Sequence, residues 1–226
     1  MNATGFYKDY SWQELAVEQL MQQLSTFYSA ERGKFQRAYV VKVSPSGGKT
    51  IFSMKAARSL IEARLIDKIV WLVPRNSIKL GFADDCKLVD MAEDVRLLNR
   101  EHLHIDLDLK ANYRGHLNNA HGAVITYQAL PGLMAYFELL AQAGKRLMFV
   151  FDEAHHGAAG EIDDTDDATA NVWGDAMARV SSIAHCVVCM TGTPARSDEK
   201  RVALLQYEET QVVTPSGRMS RALQVK

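Results

Sequence analysis

Five short apolar segments alternate with longer stretches of helical spacing along the chain, and each apolar segment ends at a polar loop. Segments of this length with many β-branched residues are typical of strands buried on both faces of a sheet. Strands that alternate with helices predict a mainly parallel central sheet covered on both sides, which is a three-layer α/β sandwich. Ligands bind such sheets at the carboxyl ends of the strands. The predicted strands are residues 38–43, 68–73, 123–126, 147–151 and 186–191.

The overall composition is that of a soluble globular protein. Of the 226 residues, 47% are hydrophobic and 23% are charged, which excludes disordered and collagen-like classes. The formal net charge of −1 does not indicate a module that binds nucleic acid through bulk positive charge. No charged leader precedes an apolar stretch, and no apolar run reaches the roughly 18 residues of a membrane span. We therefore expect an intracellular protein with no membrane partner.

The three cysteines, Cys86, Cys186 and Cys189, are too few for a disulfide scaffold and fit a reducing compartment. Cys186 and Cys189 have the spacing of a metal-binding pair but lie in an apolar segment. In a strand, residues three positions apart point to opposite faces, so these two thiols could not hold one metal ion. We predict that both pack in the core as small hydrophobic residues.

A glycine-containing loop between the first predicted strand and a predicted helix over residues 50–63 is the strongest binding signal in the chain. Glycines let successive backbone N–H groups face an anion, and the helix N-terminus favours negative charge. In such a loop the lysine reaches the β- and γ-phosphates and the threonine hydroxyl ligates Mg²⁺. Val43 stands where the full pattern has its first glycine, so a glycine turn without a ligand is an alternative. The predicted phosphate-binding residues are Ser46, Gly47, Gly48, Lys49 and Thr50.

Asp152 and Glu153 directly follow the wholly apolar strand at residues 147–151. Burying an unpaired carboxylate is costly, so these groups should face a cation or a polar cleft. We predict that Asp152 and Thr50 hold Mg²⁺, while Glu153 orients and deprotonates an attacking water. An acidic cap on a following helix would account for only one of the two carboxylates.

Six segments in order resemble the motifs of superfamily 2 helicases. Residues 152–155, Asp-Glu-Ala-His, resemble the DEAH form of motif II, and Lys49 with Thr50 resembles motif I. The resemblance extends along residues 10–196, and its last part is similar to restriction-enzyme motor subunits of the ResIII-like branch. The other matching segments are residues 73–75 (motif Ia), 125–128 (motif Ib), 191–194 (motif III) and 12–13 (the N-terminal glutamine element).

The resemblance implies a RecA-like P-loop NTPase domain over residues 1–196 that binds ATP and Mg²⁺. It implies that Gln13 bonds the adenine edge, with Phe6 or Tyr10 stacking on the ring. A plain exposed helix residue is the alternative for Gln13, and Tyr127 is predicted to be a core or interface aromatic. Backbone contacts position a nucleic-acid strand without reading its bases. The implied strand contacts are Arg75, Thr126 and Gln128, and the implied coupling residues are His155, Thr191 and Thr193.

The family's motors carry a second RecA-like domain that supplies an arginine to the transition state. We expect residues 197–226 to be a linker or the start of such a domain, with no clear element beyond residues 202–207. The isolated chain should then bind nucleotide but hydrolyse it very slowly. Two alternatives are a non-motor module of the same fold and a P-loop ATPase outside the helicases. The likeness to restriction motors favours DNA over RNA and a bacterial or phage-type cytoplasmic protein.

Overall fold

The computed structural model describes the chain in separate stretches, and the account below concerns these residues alone. They are residues 10–30, 39–44, 47–74, 109–110, 117, 120–154, 176, 179–192, 207–213 and 219–225.

A six-stranded sheet forms the centre of the fold, with strand order β1-β6-β5-β2-β4-β3. Every strand pairing in it is parallel, which confirms the predicted parallel sheet. Five strands coincide with the predicted segments to within two residues at each end, whereas the two-residue β3 was not predicted. The strands are β1 (Tyr39–Lys42), β2 (Lys68–Val73), β3 (Leu109–Lys110), β4 (Gly122–Thr126), β5 (Leu147–Asp152) and β6 (Ala184–Thr191).

Helices cover both faces of the sheet, as the alternating pattern predicts. They are α1 (Ser11–Ala30), α2 (Lys49–Glu62) and α3 (Leu130–Gln142). Alternate residues of β2 enter two separate cores, because successive strand side chains point to opposite faces. Trp71 packs in the core that includes Phe52 of α2. Leu72 packs in the core that includes Phe137 of α3, so the fold has the predicted three layers.

Cys186 and Cys189 lie on opposite faces of β6, as their spacing predicts. Cys186 belongs to the core beneath α2, and Cys189 belongs to the core beneath α3. Both thiols are buried, and burial raises the pKa of each to about 12. The two cysteines are therefore core residues rather than a metal-binding pair.

An ion pair joins β2 and β5 at their amino-terminal ends. The Arg146 guanidinium donates to Asp67 from Nε at 2.9 Å and from Nη2 at 3.1 Å. The main-chain N–H of Arg146 also donates to Asp67, at 2.8 Å. The Asp67 carboxylate therefore holds the starts of the neighbouring strands β2 and β5 together.

The segment after the sheet contains a hairpin that the sequence pattern did not predict. Strands β7 (Tyr207–Val213) and β8 (Met219–Val225) pair antiparallel from end to end. Their mixed polar and apolar residues lack the continuous apolar run by which the parallel strands were predicted. The expectation of no clear element beyond residues 202–207 is therefore wrong. Among the described helices, none combines the length and apolar character that crossing a membrane requires.

Candidate functional site

Lys49 and Glu153 meet at the carboxyl edge of the sheet. Lys49 follows β1 and Glu153 follows β5, and β6 lies between these two strands. Two strand spacings amount to about 10 Å, which two long side chains can bridge. The Lys49 ammonium forms an ion pair with Oε1 of Glu153, and the side chains are 8% and 26% exposed, respectively. The sequence placed both residues at this site, and the fold brings them into contact.

Gly48, the last loop residue before α2, has a backbone conformation that favours glycine. Gly48 adopts φ +83° and precedes α2 without a side-chain cap, so the first turn begins directly at the site. A side chain at Gly47 would clash with Val43, whose Cγ1 fills the space where a Cβ would stand. Val43 is thus tolerated in place of the usual glycine because Gly47 leaves room for it.

Gln13 of α1 is buried against this loop rather than exposed on the helix surface. Its Nε2 donates to the main-chain oxygen of Gly48 at 2.9 Å, while its Oε1 is buried with no partner among the described residues. The Tyr10 ring lies beside the same glycine, 3.1 Å from where a Cβ would stand, which is closer than ordinary van der Waals contact. The alternative of a plain, exposed Gln13 on the helix surface is therefore wrong. The buried Oε1 of Gln13 is a candidate hydrogen-bond acceptor for an N–H group of a ligand.

Asp152 ends β5 next to Glu153, and the two carboxylates affect each other. Burial raises the pKa of Asp152, the Glu153 charge raises it further, and Lys49 opposes both effects. The Glu153 N–H donates to Oδ1 of Asp152 at 3.1 Å. Glu153 adopts φ 49°, a left-handed conformation that costs a non-glycine residue about 1–3 kcal/mol. Such strain persists where surrounding contacts enforce it, and it often marks functional sites.

Thr50 and Asp152 carry oxygen atoms of the kind that Mg²⁺ prefers as ligands. Mg²⁺ usually takes one or two protein ligands and completes its shell with water and substrate phosphates. Among the described residues no group of three or more His, Cys, Asp or Glu side chains could hold a metal. Two such residues are enough for a magnesium ion that also binds a phosphate.

A buried polar chain that the sequence did not predict supports Thr50 from beneath. The indole Nε1 of Trp71 donates to Oγ of Ser53 at 3.1 Å, and Ser53 donates to the main-chain oxygen of Thr50 at 2.8 Å. A buried tryptophan N–H usually needs an acceptor, which is the signal that could have indicated such a partner.

The remaining candidates divide between the described residues and the rest of the chain. Thr126 is 8% exposed at the end of β4, and Gln128 is exposed in the 3₁₀ turn Tyr127–Ala129. Tyr127 is buried, as predicted, and its hydroxyl donates to the main-chain oxygen of Asp152 at 2.8 Å. Thr191 is fully buried at the end of β6, between β1 and β5. Phe6, Ser46, Arg75, His155 and Thr193 lie outside the described residues.

Curated relatives of this sequence occur in mycobacteria. A protein of Mycobacterium tuberculosis strain H37Rv is 25% identical over 176 residues, which are 78% of this chain and 25% of the relative. A protein of Mycobacterium leprae is 25% identical over 171 residues, 76% of this chain and 25% of the relative. The chain thus spans about a quarter of the length of these relatives.

Solved structures share the fold at low sequence identity. The UvsW helicase of bacteriophage T4 aligns with a TM-score of 0.50 and 18% identity, over 85% of this chain and 55% of that chain. The Sulfolobus solfataricus SWI2/SNF2 ATPase core in complex with dsDNA gives 0.51 and 12%, over 83% and 32%. The ATP-dependent type ISP restriction-modification enzyme LlaBIII bound to DNA gives 0.53 and 14%, over 100% and 15%.

Residues 6–196 match the family described as the type III restriction enzyme, res subunit (ResIII). This match includes every described strand of the parallel sheet and the loop that contains Lys49. The sheet and its covering helices are those of the RecA-like P-loop fold that the sequence predicts. The chain therefore belongs to the ResIII family, and its fold is that of the N-terminal RecA-like, helicase-like motor domain of superfamily 2.

Proposed function

We propose that this chain is the ATP-binding first motor domain of a helicase or translocase that moves along nucleic acid. The observation that carries the proposal is the ion pair of Lys49 and Glu153, next to Asp152, at the carboxyl edge of a parallel sheet. A phosphate-binding lysine and two carboxylates are the groups that ATP hydrolysis requires from such a domain.

ATP fits the polar groups around Gly48. Lys49 would exchange Glu153 for the β- and γ-phosphates, which the first turn of α2 also attracts. The buried Oε1 of Gln13 would accept the exocyclic amino group of adenine, because its Nε2 is already engaged by the loop. Guanine carries a carbonyl oxygen at the corresponding position, so this acceptor favours adenine.

Hydrolysis would then depend on Thr50, on Asp152 and on Glu153, which nucleotide binding would separate from Lys49. Thr50 and Asp152 would hold Mg²⁺, which neutralises charge on the phosphates when bound. Glu153, freed from Lys49, would orient the attacking water and accept its proton. Turnover by this domain alone should be very slow, because the transition-state arginine comes from a second RecA-like domain.

The nucleic-acid strand would lie along the same edge of the sheet, beyond β2 and β4. Arg75, Thr126 and Gln128 are the proposed backbone contacts, and His155, Thr191 and Thr193 would link that strand to the nucleotide. We favour DNA over RNA because two structures of similar fold were solved with DNA. The second RecA-like domain would belong to a longer protein, consistent with relatives of which the matched segment is only 25%. The proposed location of the protein is the cytoplasm, which supplies both ATP and nucleic acid.

Titration with a fluorescent ATP analogue in Mg²⁺ tests the proposal, comparing the parent chain with Lys49→Ala. Lys55→Ala is the matched control, since Lys55 is also on α2 and pairs with Glu14 at 3.1 Å. A hydrogen bond to a charged group contributes about 1.5–3 kcal/mol, so Lys49→Ala should weaken binding by roughly 10- to 150-fold. Lys55→Ala should bind like the parent. Equal binding by both variants, or none by the parent, would refute an ATP site here and favour a non-motor module.

A further inference from the structure

Tyr127 reaches from the end of β4 to the end of β5, across the strand that separates them. Strand β2 lies between β4 and β5, so the hydroxyl spans about two strand spacings, roughly 10 Å in all. It donates to the main-chain oxygen of Asp152 at 2.8 Å, and the side chain is only 2% exposed. Burial raises the pKa of this phenol well above its usual value of 10, so the hydroxyl stays a donor at physiological pH.

The bond from Tyr127 acts on the peptide group that orients Glu153. Rotation of the peptide between Asp152 and Glu153 changes φ of Glu153, which is held at the strained value of 49°. Tyr127 binds the C=O of this peptide, and Oδ1 of Asp152 binds its N–H at 3.1 Å. Fixing both polar groups of one peptide fixes its plane. The direction of the Glu153 side chain toward Lys49 therefore depends partly on Tyr127.

The same residue lies inside the segment proposed to contact nucleic acid. Thr126 precedes it at the end of β4, and Gln128 follows it with an exposed side chain. These three residues are consecutive. A bound nucleic-acid strand that displaces Thr126 or Gln128 would therefore also displace the backbone of Tyr127 and, with it, the hydroxyl. Tyr127 thus connects the two sites through a single side chain, and a measured coupling free energy is the evidence that such a connection transmits binding.

We propose that Tyr127 is a positioning residue that transmits nucleic-acid binding at Thr126 and Gln128 to the peptide preceding Glu153, an inference that rests on the proposed function. Tyr127 touches neither ligand and acts through the orientation of Glu153. A purely structural tyrosine would contribute to folding stability but would leave the two ligands independent.

The test is a thermodynamic cycle on the full chain. The affinity for a fluorescent ATP analogue in Mg²⁺ is measured with and without saturating single-stranded oligothymidylate, for the parent and for Tyr127→Phe. Tyr136→Phe is the matched control, because its hydroxyl accepts a bond from the Leu117 N–H at 2.9 Å in the same core layer. The ratio of the two affinities measures coupling, and any loss of stability is recorded separately by thermal unfolding.

In the parent and in Tyr136→Phe, the oligonucleotide should change nucleotide affinity by about fivefold or more. In Tyr127→Phe this ratio should fall toward one. Coupling retained by Tyr127→Phe, or absent from a parent that binds both ligands, would overturn the inference and leave the proposed function standing. A parent that binds neither ligand would overturn both.

If Tyr127→Phe does not fold, hydrogen exchange of the Glu153 amide in the parent decides the question. Adding oligothymidylate without nucleotide should change that exchange rate, because the amide belongs to the peptide that Tyr127 holds. An unchanged rate at saturating oligonucleotide would contradict the inference.

Discussion

Replacing Glu153 with glutamine should tighten nucleotide binding while it abolishes turnover. Lys49 is paired with Glu153, so an incoming phosphate must compete with this carboxylate for the ammonium. Glutamine keeps the shape and one acceptor of glutamate but removes its charge. The variant therefore weakens the competitor without removing any group that binds phosphate.

The size of the effect follows from the burial of the pair. The side chains of Lys49 and Glu153 are 8% and 26% exposed, so solvent screens them less than it screens a surface pair. Two unit charges 4 Å apart attract by about 4 kcal/mol at an effective dielectric constant of 20, and desolvation offsets much of that. A neutral acceptor still gains about 1.5–3 kcal/mol from a charged donor. The net loss is about 1–2 kcal/mol, which corresponds to roughly 5- to 30-fold tighter nucleotide binding.

Fluorescence titration of the parent and Glu153→Gln with the same ATP analogue measures this difference, and phosphate release measures turnover. Glu62→Gln is a suitable control, since Glu62 pairs with Arg58 on the exposed side of α2. Equal or weaker affinity in Glu153→Gln would show that the carboxylate does not compete for Lys49 in solution. That result would refute the reasoning.

Two further substitutions test the loop and the opposite edge of the sheet. Gly48→Ala should lower the free energy of unfolding by about 1–3 kcal/mol and weaken nucleotide binding. Its φ of +83° is strained for alanine, and the new methyl would displace the Gln13 side chain from its hydrogen bond to the loop. Chemical denaturation measures the stability, and titration with the ATP analogue measures the binding. Asp67→Asn should lower the free energy of unfolding by about 1–2 kcal/mol near neutral pH. Hydrogen bonding to Arg146 lowers the pKa of Asp67 from 3.8 to about 2, and the partial exposure of the pair reduces the resulting stabilisation. Because the folded-state pKa is lowered, this stabilisation is present above pH 3.8 and is lost as the pH falls toward 2, so denaturation curves of the two proteins should converge there.

The sheet was predictable because its central strands are buried on both faces. Strand β2 (Lys68–Val73) coincides with its apolar run, and β5 extends one residue beyond its run, to Asp152. Strand β3 has only two residues, and the hairpin of β7 and β8 mixes polar and apolar residues without a long apolar run. Neither carries the continuous apolar signal on which the prediction depended.

The site residues were predictable in kind, but their contacts were not. Glycines, a lysine and paired carboxylates after strands indicate phosphate chemistry wherever the strands lie. The bond from Tyr127 to Asp152 depends on β2 lying between β4 and β5, and the ion pair of Lys49 depends on β6 lying between β1 and β5. Strand order follows from how the helices pack over the sheet, which local sequence patterns do not encode.

Hydrogen–deuterium exchange with and without a non-hydrolysable ATP analogue in Mg²⁺ tests most directly whether this edge of the sheet binds nucleotide. Bound nucleotide should slow exchange in the first turn of α2, at Gln13 and at the carboxyl end of β5, since Gln13 bonds the loop at Gly48 and the Lys49 ammonium pairs with Glu153. Protection confined to the opposite edge, in the cavity of about 510 Å³ beside Arg146 and His185, would contradict the proposed site. An exchange pattern unchanged at saturating analogue would contradict nucleotide binding by this domain altogether.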